Sequence, residues 1–183
     1  MKRTVLLMFF AALFVAGCDL FYDEFTLALN LEPVKHTYPL NPGGTSYTLP
    51  PTFFDLGSYV DSDYAGDITG GGIYNIGVML SPAHTGRTIN GNAAIAYGSY
   101  SATISYTGNW NDFSTERTIL SDPTLVSIDD PAEFEAMMRE IFRQNPLPTI
   151  TLQGNGTSSQ AISAGDSLTI TLYGQAAASI TLN

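Results

Sequence analysis

The chain has 183 residues, with 17 acidic against 7 basic side chains and a formal net charge of −10. A surface of this sign repels phosphate, which argues against nucleic-acid binding and against electrostatic attraction to anionic lipid. The single cysteine excludes an intrachain disulfide, so the fold depends on a hydrophobic core, which a chain of this length can supply as one domain.

The N-terminal segment has the layout of an export signal. Lys2 and Arg3 precede an uncharged apolar run from Val5 to Ala16. As a helix this run would be about 18 Å long, against about 30 Å of bilayer hydrocarbon, so it is too short for a permanent span. We expect it to be removed by cleavage.

The motif Val15-Ala16-Gly17-Cys18 follows this run and resembles the lipobox of bacterial lipoproteins. In that family an aliphatic and two small residues precede a cysteine that receives lipid and becomes the first residue after cleavage. The resemblance covers residues 1–19 and implies a signal peptide over 1–17 with lipid on Cys18. The alternative is an ordinary secretory signal with a coincidental cysteine. In some Gram-negative sorting systems Asp19 at the next position favours retention in the inner membrane.

The resemblance also implies where the rest of the chain works. Residues 18–24 would form a lipidated tether, in which the six residues after the cysteine, 19–24, extend to at most about 20 Å. Residues 25–183 would form a single domain held close to a membrane of the bacterial cell envelope, facing the periplasm or the cell exterior. The membrane is then a partner through the acyl chains, which contribute about 0.8 kcal/mol per buried CH₂.

The chain after the tether mostly shows period-two patterning, which predicts strands with one buried face. In the second strand, after the run Gly70–Gly72, we expect Tyr74, Ile76, Val78 and Leu80 to share one side. Asn90-Gly91 predicts a two-residue hairpin turn, and residues 33–51 are expected to form a long loop. The predicted strands are 25–32, 74–80, 100–107, 117–121, 124–128, 149–153, 167–173 and 178–183.

One segment near 131–144 has helical periodicity instead. Asp130 can cap its start, Pro131 suits the first helical position, and Glu133 fits a variant capping box. Its apolar stripe is core in the main interpretation and a partner-binding face in the alternative. The stripe consists of Phe134, Met137, Met138, Ile141 and Phe142. The predicted fold is therefore all-β, a β-sandwich with Greek-key-like connections and one short amphipathic helix.

Asp61, Asp63 and Asp67 begin like a calcium loop, because hard cations prefer several converging carboxylates. The match then fails, since Ala65 and Gly72 occupy positions at which oxygen ligands are expected. The main interpretation is a solvated acidic loop, with calcium as the alternative cofactor.

The chain's single tryptophan lies in a turn-rich stretch from Gly108 to Phe113. Amide and carboxylate side chains flank Trp110, a mixture that suits stacking on a sugar with hydrogen bonds to its hydroxyls. The main interpretation is that the ring closes one end of the sandwich by packing. Ligand binding by Trp110 is the alternative.

The acidic run Asp129, Asp130, Glu133 and Glu135 could supply paired catalytic carboxylates. Acids in the first turn of a helix also complement its dipole, which is the stronger interpretation. The sequence has no motif for a zinc site or a nucleotide site. His36 and His84 have no partner at metal-ligand spacing, and no nucleotide-binding motif is present.

Two functions follow from these patterns. The first is a membrane-anchored envelope lipoprotein whose domain is non-enzymatic and binds a protein or glycan partner or serves a structural role. The second is a carbohydrate-active envelope enzyme that uses paired carboxylates. Apart from the lipid on Cys18, no cofactor is expected.

Overall fold

The computed structural model describes residues 24–60 and 67–181, which form a mostly β-structure. The strands are β1 (Glu24–Asn30), β2 (Val34–Pro39), β3 (Ser46–Asp55), β4 (Ile68–Ser81), β5 (Thr88–Tyr97), β6 (Tyr100–Asn109), β7 (Arg117–Thr118), β8 (Val126–Ile128), β9 (Thr149–Ser158) and β10 (Ser167–Thr181). The helix α1 (Pro131–Ile141) lies between β8 and β9. Short 3₁₀ helices span Leu56–Tyr59 and Trp110–Ser114. No helix in these ranges is long and apolar enough to cross a bilayer.

The strands form two antiparallel sheets. The first sheet has the order β1–β10–β4–β7, and β2 also pairs with β10. Because β1 pairs with residues 175–181 and β2 with residues 167–172, these two strands share one edge of the long β10. The second sheet has the order β3–β9–β5–β6–β8. Together the sheets give the sandwich-like all-β fold that the period-two pattern predicted.

Both sheets and α1 pack around one hydrophobic core. The helix begins where its sequence predicts, because the carboxylate of Asp130 accepts hydrogen bonds from the amides of Ala132 and Glu133. Its apolar stripe faces inward, as the main interpretation expected. All five stripe residues are buried: Phe134, Met137, Met138, Ile141 and Phe142.

A row of four paired residues crosses the second sheet and explains two of its glycines. Tyr47 pairs with Gly156, Gly156 with Gly91, and Gly91 with Tyr106. The two tyrosine rings lean inward over the glycines, and the Tyr47 hydroxyl donates to that of Tyr106 at 3.0 Å. A Cβ at Gly156 would overlap the Tyr47 ring, and a Cβ at Gly91 would overlap the Tyr106 ring and both hydroxyls, so glycine leaves the space that the two tyrosines fill.

The Asn90-Gly91 hairpin prediction was wrong, because both residues are paired inside β5. The turn lies further along the chain, where Tyr97 pairs with Tyr100 and Gly98 has a φ of +58°. Gly98 supplies the left-handed conformation that this tight connection requires. Gly91 is glycine for packing and not for a turn.

The second predicted strand is longer than expected, and its inward pattern is interrupted. Gly70 to Gly72 lie within β4, and a register shift opposite Tyr173 and Gly174 changes which side chains point inward. Ile73 is buried and Tyr74 is exposed, whereas Ile76, Val78 and Leu80 are buried together as predicted.

Other boundaries also differ from the sequence prediction. Residues 33–51 are not one loop, because they contain β2 and the first part of β3. The predicted strands 167–173 and 178–183 are joined in β10, since the alanines between them continue the pairing with β4. Of the segments 117–121 and 124–128, only the short strands β7 and β8 form.

Candidate functional site

Three of the predicted site residues, Cys18, Asp61 and Asp63, lie outside the described residues. Asp67 is exposed, and its backbone carbonyl accepts a hydrogen bond from the Ser179 amide at 2.9 Å. Within the ranges 24–60 and 67–181, no three His, Cys, Asp or Glu side chains gather as a metal site.

Trp110 is fully buried at the start of the second 3₁₀ helix. Its indole nitrogen donates to the Pro82 carbonyl at 2.8 Å, and the Arg87 guanidinium lies 4.5 Å from the ring centroid. The His84 ring meets the indole edge-on at 5.3 Å. These contacts engage the ring from several sides, which favours packing over the stacking on a sugar that was the alternative.

A buried carboxylate joins this packing to a distant loop. Asp166 lies just before β10, and its side chain has no exposed surface. One carboxylate oxygen is 2.6 Å from Nη1 of Arg87 and accepts from the Ser163 amide at 2.8 Å, while the other is 2.7 Å from Nε2 of His84. Arg87 also donates to the Ala161 carbonyl. We call the buried ion pair of Arg87 and Asp166, together with the partly exposed His84 ring, the buried ion cluster.

The buried ion cluster fastens the loop between β4 and β5 to the loop between β9 and β10. Burial raises the pKa of the Asp166 carboxyl, but the hydrogen bonds from Ser163, His84 and Arg87 outweigh it and hold the pKa below its usual value. Sequence reasoning missed this cluster because its partners are 79 and 82 positions apart and form no local motif.

The acidic run near α1 is held by local contacts. Asp130 caps the helix, and Asp129 accepts from the Ser105 hydroxyl at 2.7 Å. Glu135 lies 3.5 Å from Arg139 one turn later, and Glu133 faces the Ser101 amide at 3.5 Å. These positions agree with the helix-terminus interpretation of the run.

Another acid, Glu116, lies over the outer face of the first sheet. Its carboxylate accepts from the Thr171 hydroxyl at 2.6 Å and from the Tyr173 hydroxyl. A Cβ at Gly77 would fall 2.5 Å from its carboxyl carbon, so that glycine makes room for it. The hydrogen bond to Glu116 raises the pKa of Tyr173 to about 12.

The candidate binding site is a shallow polar depression at one end of the second sheet. Its volume is about 510 Å³. It is lined by Thr88, Ile89, Asn90, Thr107, Gly108, Asn109, Thr157, Ser158 and Ser159. None of these nine residues is charged, and most carry a hydroxyl or an amide. Such groups can both donate and accept hydrogen bonds.

The register of the second sheet arranges its outward side chains in rows that run across the strands. Row one consists of Ser159, Thr88 and Asn109. Row two consists of Ser46, Thr157, Asn90 and Thr107. Row three consists of Thr48, Asn155, Asn92, Ser105 and Ser127. Rows one and two, apart from Ser46, line the depression.

Comparisons with known proteins give structural similarities without a family. No family model and no curated protein matches the chain. A Desmodium yellow mottle tymovirus structure matches with a TM-score of 0.34 and 8% identity, covering 92% of this chain and 96% of that one. An infectious bursal disease virus VP2 subviral particle matches with a TM-score of 0.27 and 14% identity, covering 97% of this chain but 37% of the viral one. A Gt strain structure of the same virus has a TM-score of 0.27 and 12% identity, covering 97% and 38%. At these scores the similarities carry no argument about function.

Proposed function

We propose that the chain is a lipid-anchored bacterial envelope lipoprotein whose β-domain is a non-enzymatic binding module. The lipobox-like motif before Cys18 supports the anchor. The uncharged depression on the second sheet is the observation that carries the binding role, because it offers hydroxyls and amides in an otherwise acidic protein.

The position of the depression suits a tethered binding module. Glu24, the last residue of the proposed tether, pairs with Thr181 at the C-terminal end of β10. The depression lies at the opposite end, because Arg87, next to Thr88, contacts Asp166 just before β10 begins. A 15-residue strand spans roughly 45 Å. The depression would therefore lie at the end of the domain that is far from the bilayer.

The contacts of the acids support binding over carboxylate catalysis. Asp130 stabilises a helix terminus, Asp166 joins two loops, and Glu116 bonds two hydroxyls of β10. A glycosidase instead needs two carboxyl groups that face each other across a substrate. Each of these three acids makes a structural contact of its own, and none faces another carboxylate in the contacts described.

We also propose that the connections between the strands are Greek-key-like. In each sheet a late strand lies between two early ones, with β10 between β2 and β4 and with β9 between β3 and β5. Such insertion is what a returning long connection produces.

The anchor is tested by mass spectrometry of the protein from native membranes. We expect a new N-terminus at Cys18 that carries an acyl mass, and a membrane-bound protein. Cys18→Ser should lose the acyl mass and leave the membrane fraction. Identical processing of both proteins, without an acyl mass on either, would contradict the anchor.

The orientation is tested with single introduced thiols, since Cys18 is the chain's one natural cysteine. Thr26→Cys and Ser159→Cys place a fluorescent label at exposed positions near the two ends. In vesicles that contain a quencher in the lipid headgroups, we expect strong quenching at position 26 and little at 159. Equal quenching at both positions would refute the orientation.

A further inference from the structure

Row two presents exposed polar side chains on adjacent strands. Thr157, Asn90 and Thr107 are exposed and lie on three adjacent strands. In the described part of the chain their side chains form no hydrogen bond, whereas the backbones that carry them are paired on both sides. The row is therefore a rigid frame with free donors and acceptors, so binding would order little more than the side chains themselves.

We propose that rows one and two bind a neutral polysaccharide chain that lies across the strands. This inference rests on the binding role proposed above and names the ligand class of the same depression. Sugar hydroxyls donate and accept hydrogen bonds, as do the hydroxyls and amides of Ser, Thr and Asn. An extended glycan repeats such groups along its length, which matches side chains that recur at each strand.

The spacing of the rows suits an elongated ligand. Neighbouring strands are about 4.8 Å apart, so the four strands of row two offer a polar side chain at each step over about 14 Å. Row one runs parallel to row two at a distance of about 6.7 Å, which is two residues along a strand. A ligand of sugar width could contact both rows at once.

The charge around the depression selects against anionic ligands. The lining has no cationic side chain. At the edge of row one, the carboxylate of Asp112 accepts from the backbone and side-chain amides of Asn109 at 3.2 and 3.1 Å. This carboxylate fixes Asn109 and repels anions, so an uncharged chain is favoured over a uronate or a phosphorylated polymer.

The test uses the intact processed protein in detergent, with affinity electrophoresis and calorimetric titration against soluble polysaccharides. The neutral probes are a β-glucan, xylan, galactomannan and dextran, and the anionic probe is alginate. We expect at least one neutral polymer to slow the protein in affinity electrophoresis and to give binding heat in the titration. Alginate should show neither effect. The double variant Asn90→Ala/Thr157→Ala should weaken binding about tenfold or more, because each lost hydrogen bond typically changes affinity several-fold.

The matched control is Gln153→Ala/Ser127→Ala, which removes two exposed polar side chains from the same face but outside the depression. It should bind like the unmodified protein, and circular dichroism should show both variants folded. The proposal is overturned if no neutral polymer binds, if alginate binds best, or if the control weakens binding as much as the test variant. Because acylation of Cys18 is measured separately, a failed titration removes the ligand class and leaves the anchor standing.

Discussion

Tyr47 on β3 and Tyr106 on β6 meet through their hydroxyls at 3.0 Å on the inner face of the second sheet. Their rings lie over two glycines on β9 and β5, the strands between them. Burial raises the pKa of both tyrosines, and for Tyr106 the neighbouring Tyr47 raises it further. The pair spans β3 to β6 inside the core. It therefore connects the packing of four strands.

Adding a methyl group under this pair should be costly. Gly156→Ala places a Cβ against the Tyr47 ring and 2.6 Å from the Asn90 carbonyl oxygen. We expect a loss of about 1–3 kcal/mol in the free energy of unfolding, measured by urea titration. Gly70→Ala is the control, because its Cβ meets nothing within 4 Å. It should be neutral or stabilise by about 0.5 kcal/mol, and an equal loss in both variants would contradict the packing role.

The two hydroxyls of the pair should contribute to stability together, so that the losses from removing each one do not add up. Tyr106→Phe leaves the buried Tyr47 hydroxyl without its acceptor, so we expect a loss of about 1–3 kcal/mol. In Tyr47→Phe/Tyr106→Phe no hydroxyl is stranded, and the loss should be smaller than the sum of the single losses. Strict additivity in this double-mutant cycle would show that the hydroxyls do not interact.

The same pair predicts a loss of stability at high pH. An unfolded tyrosine ionises near pH 10, whereas the folded pKa of Tyr47 and Tyr106 is higher. Above about pH 10 the unfolded state therefore binds fewer protons than the folded state, and stability falls as pH rises. In unfolding curves measured between pH 9 and 11, Tyr47→Phe/Tyr106→Phe should make this fall smaller. Part of the fall should remain, because the pKa values of Tyr38 and Tyr173 are also raised.

The buried ion cluster should be sensitive to the loss of its anion. Asp166→Asn leaves the Arg87 guanidinium, which is 3% exposed, without its counter-charge. We expect a loss of about 3–5 kcal/mol in the free energy of unfolding. Glu135→Gln breaks the exposed pair with Arg139 and should change stability by no more than about 0.5 kcal/mol. A small effect at Asp166 would mean that the cluster is not a stabilising contact.

Acid should weaken the same cluster. Because the folded pKa of Asp166 lies below its unfolded value, the contribution is fully present above about pH 4 and is lost as pH falls through the folded pKa. Between pH 6 and 2, the free energy of unfolding should therefore fall less with decreasing pH for Asp166→Asn than for the unmodified protein. Parallel curves would argue against a lowered pKa.

The start of α1 depends on one side chain. Asp130→Ala removes the acceptor of two backbone amides at 3.1 and 3.0 Å and should cost about 1 kcal/mol in thermal or urea unfolding. Asp130→Asn keeps a capping oxygen and should retain most of the stability. If both variants lost the same amount, the charge of Asp130 and not its capping oxygen would be the important property.

Local patterns in the sequence determined the fold class and the helix. Alternation from Ala102 to Tyr106 gave a strand with one buried face, and the stripe from Phe134 to Phe142 with its Asp130 cap gave α1, since these signals lie within a few residues. The same local reasoning failed at Asn90-Gly91, whose dipeptide is typical of a turn. The rings of Tyr47 and Tyr106, distant in sequence, require a glycine there instead.

Only the tertiary structure decided which surface can bind. The sequence singled out Trp110, but packing against Arg87 and His84 buries it. The rows around Asn90 and Thr157 depend on the register of strands more than sixty residues apart, and one residue of slip would turn each side chain to the other face. Sequence thus determines what each segment prefers locally, whereas pairing and burial between distant segments determine which side chains remain free for a ligand.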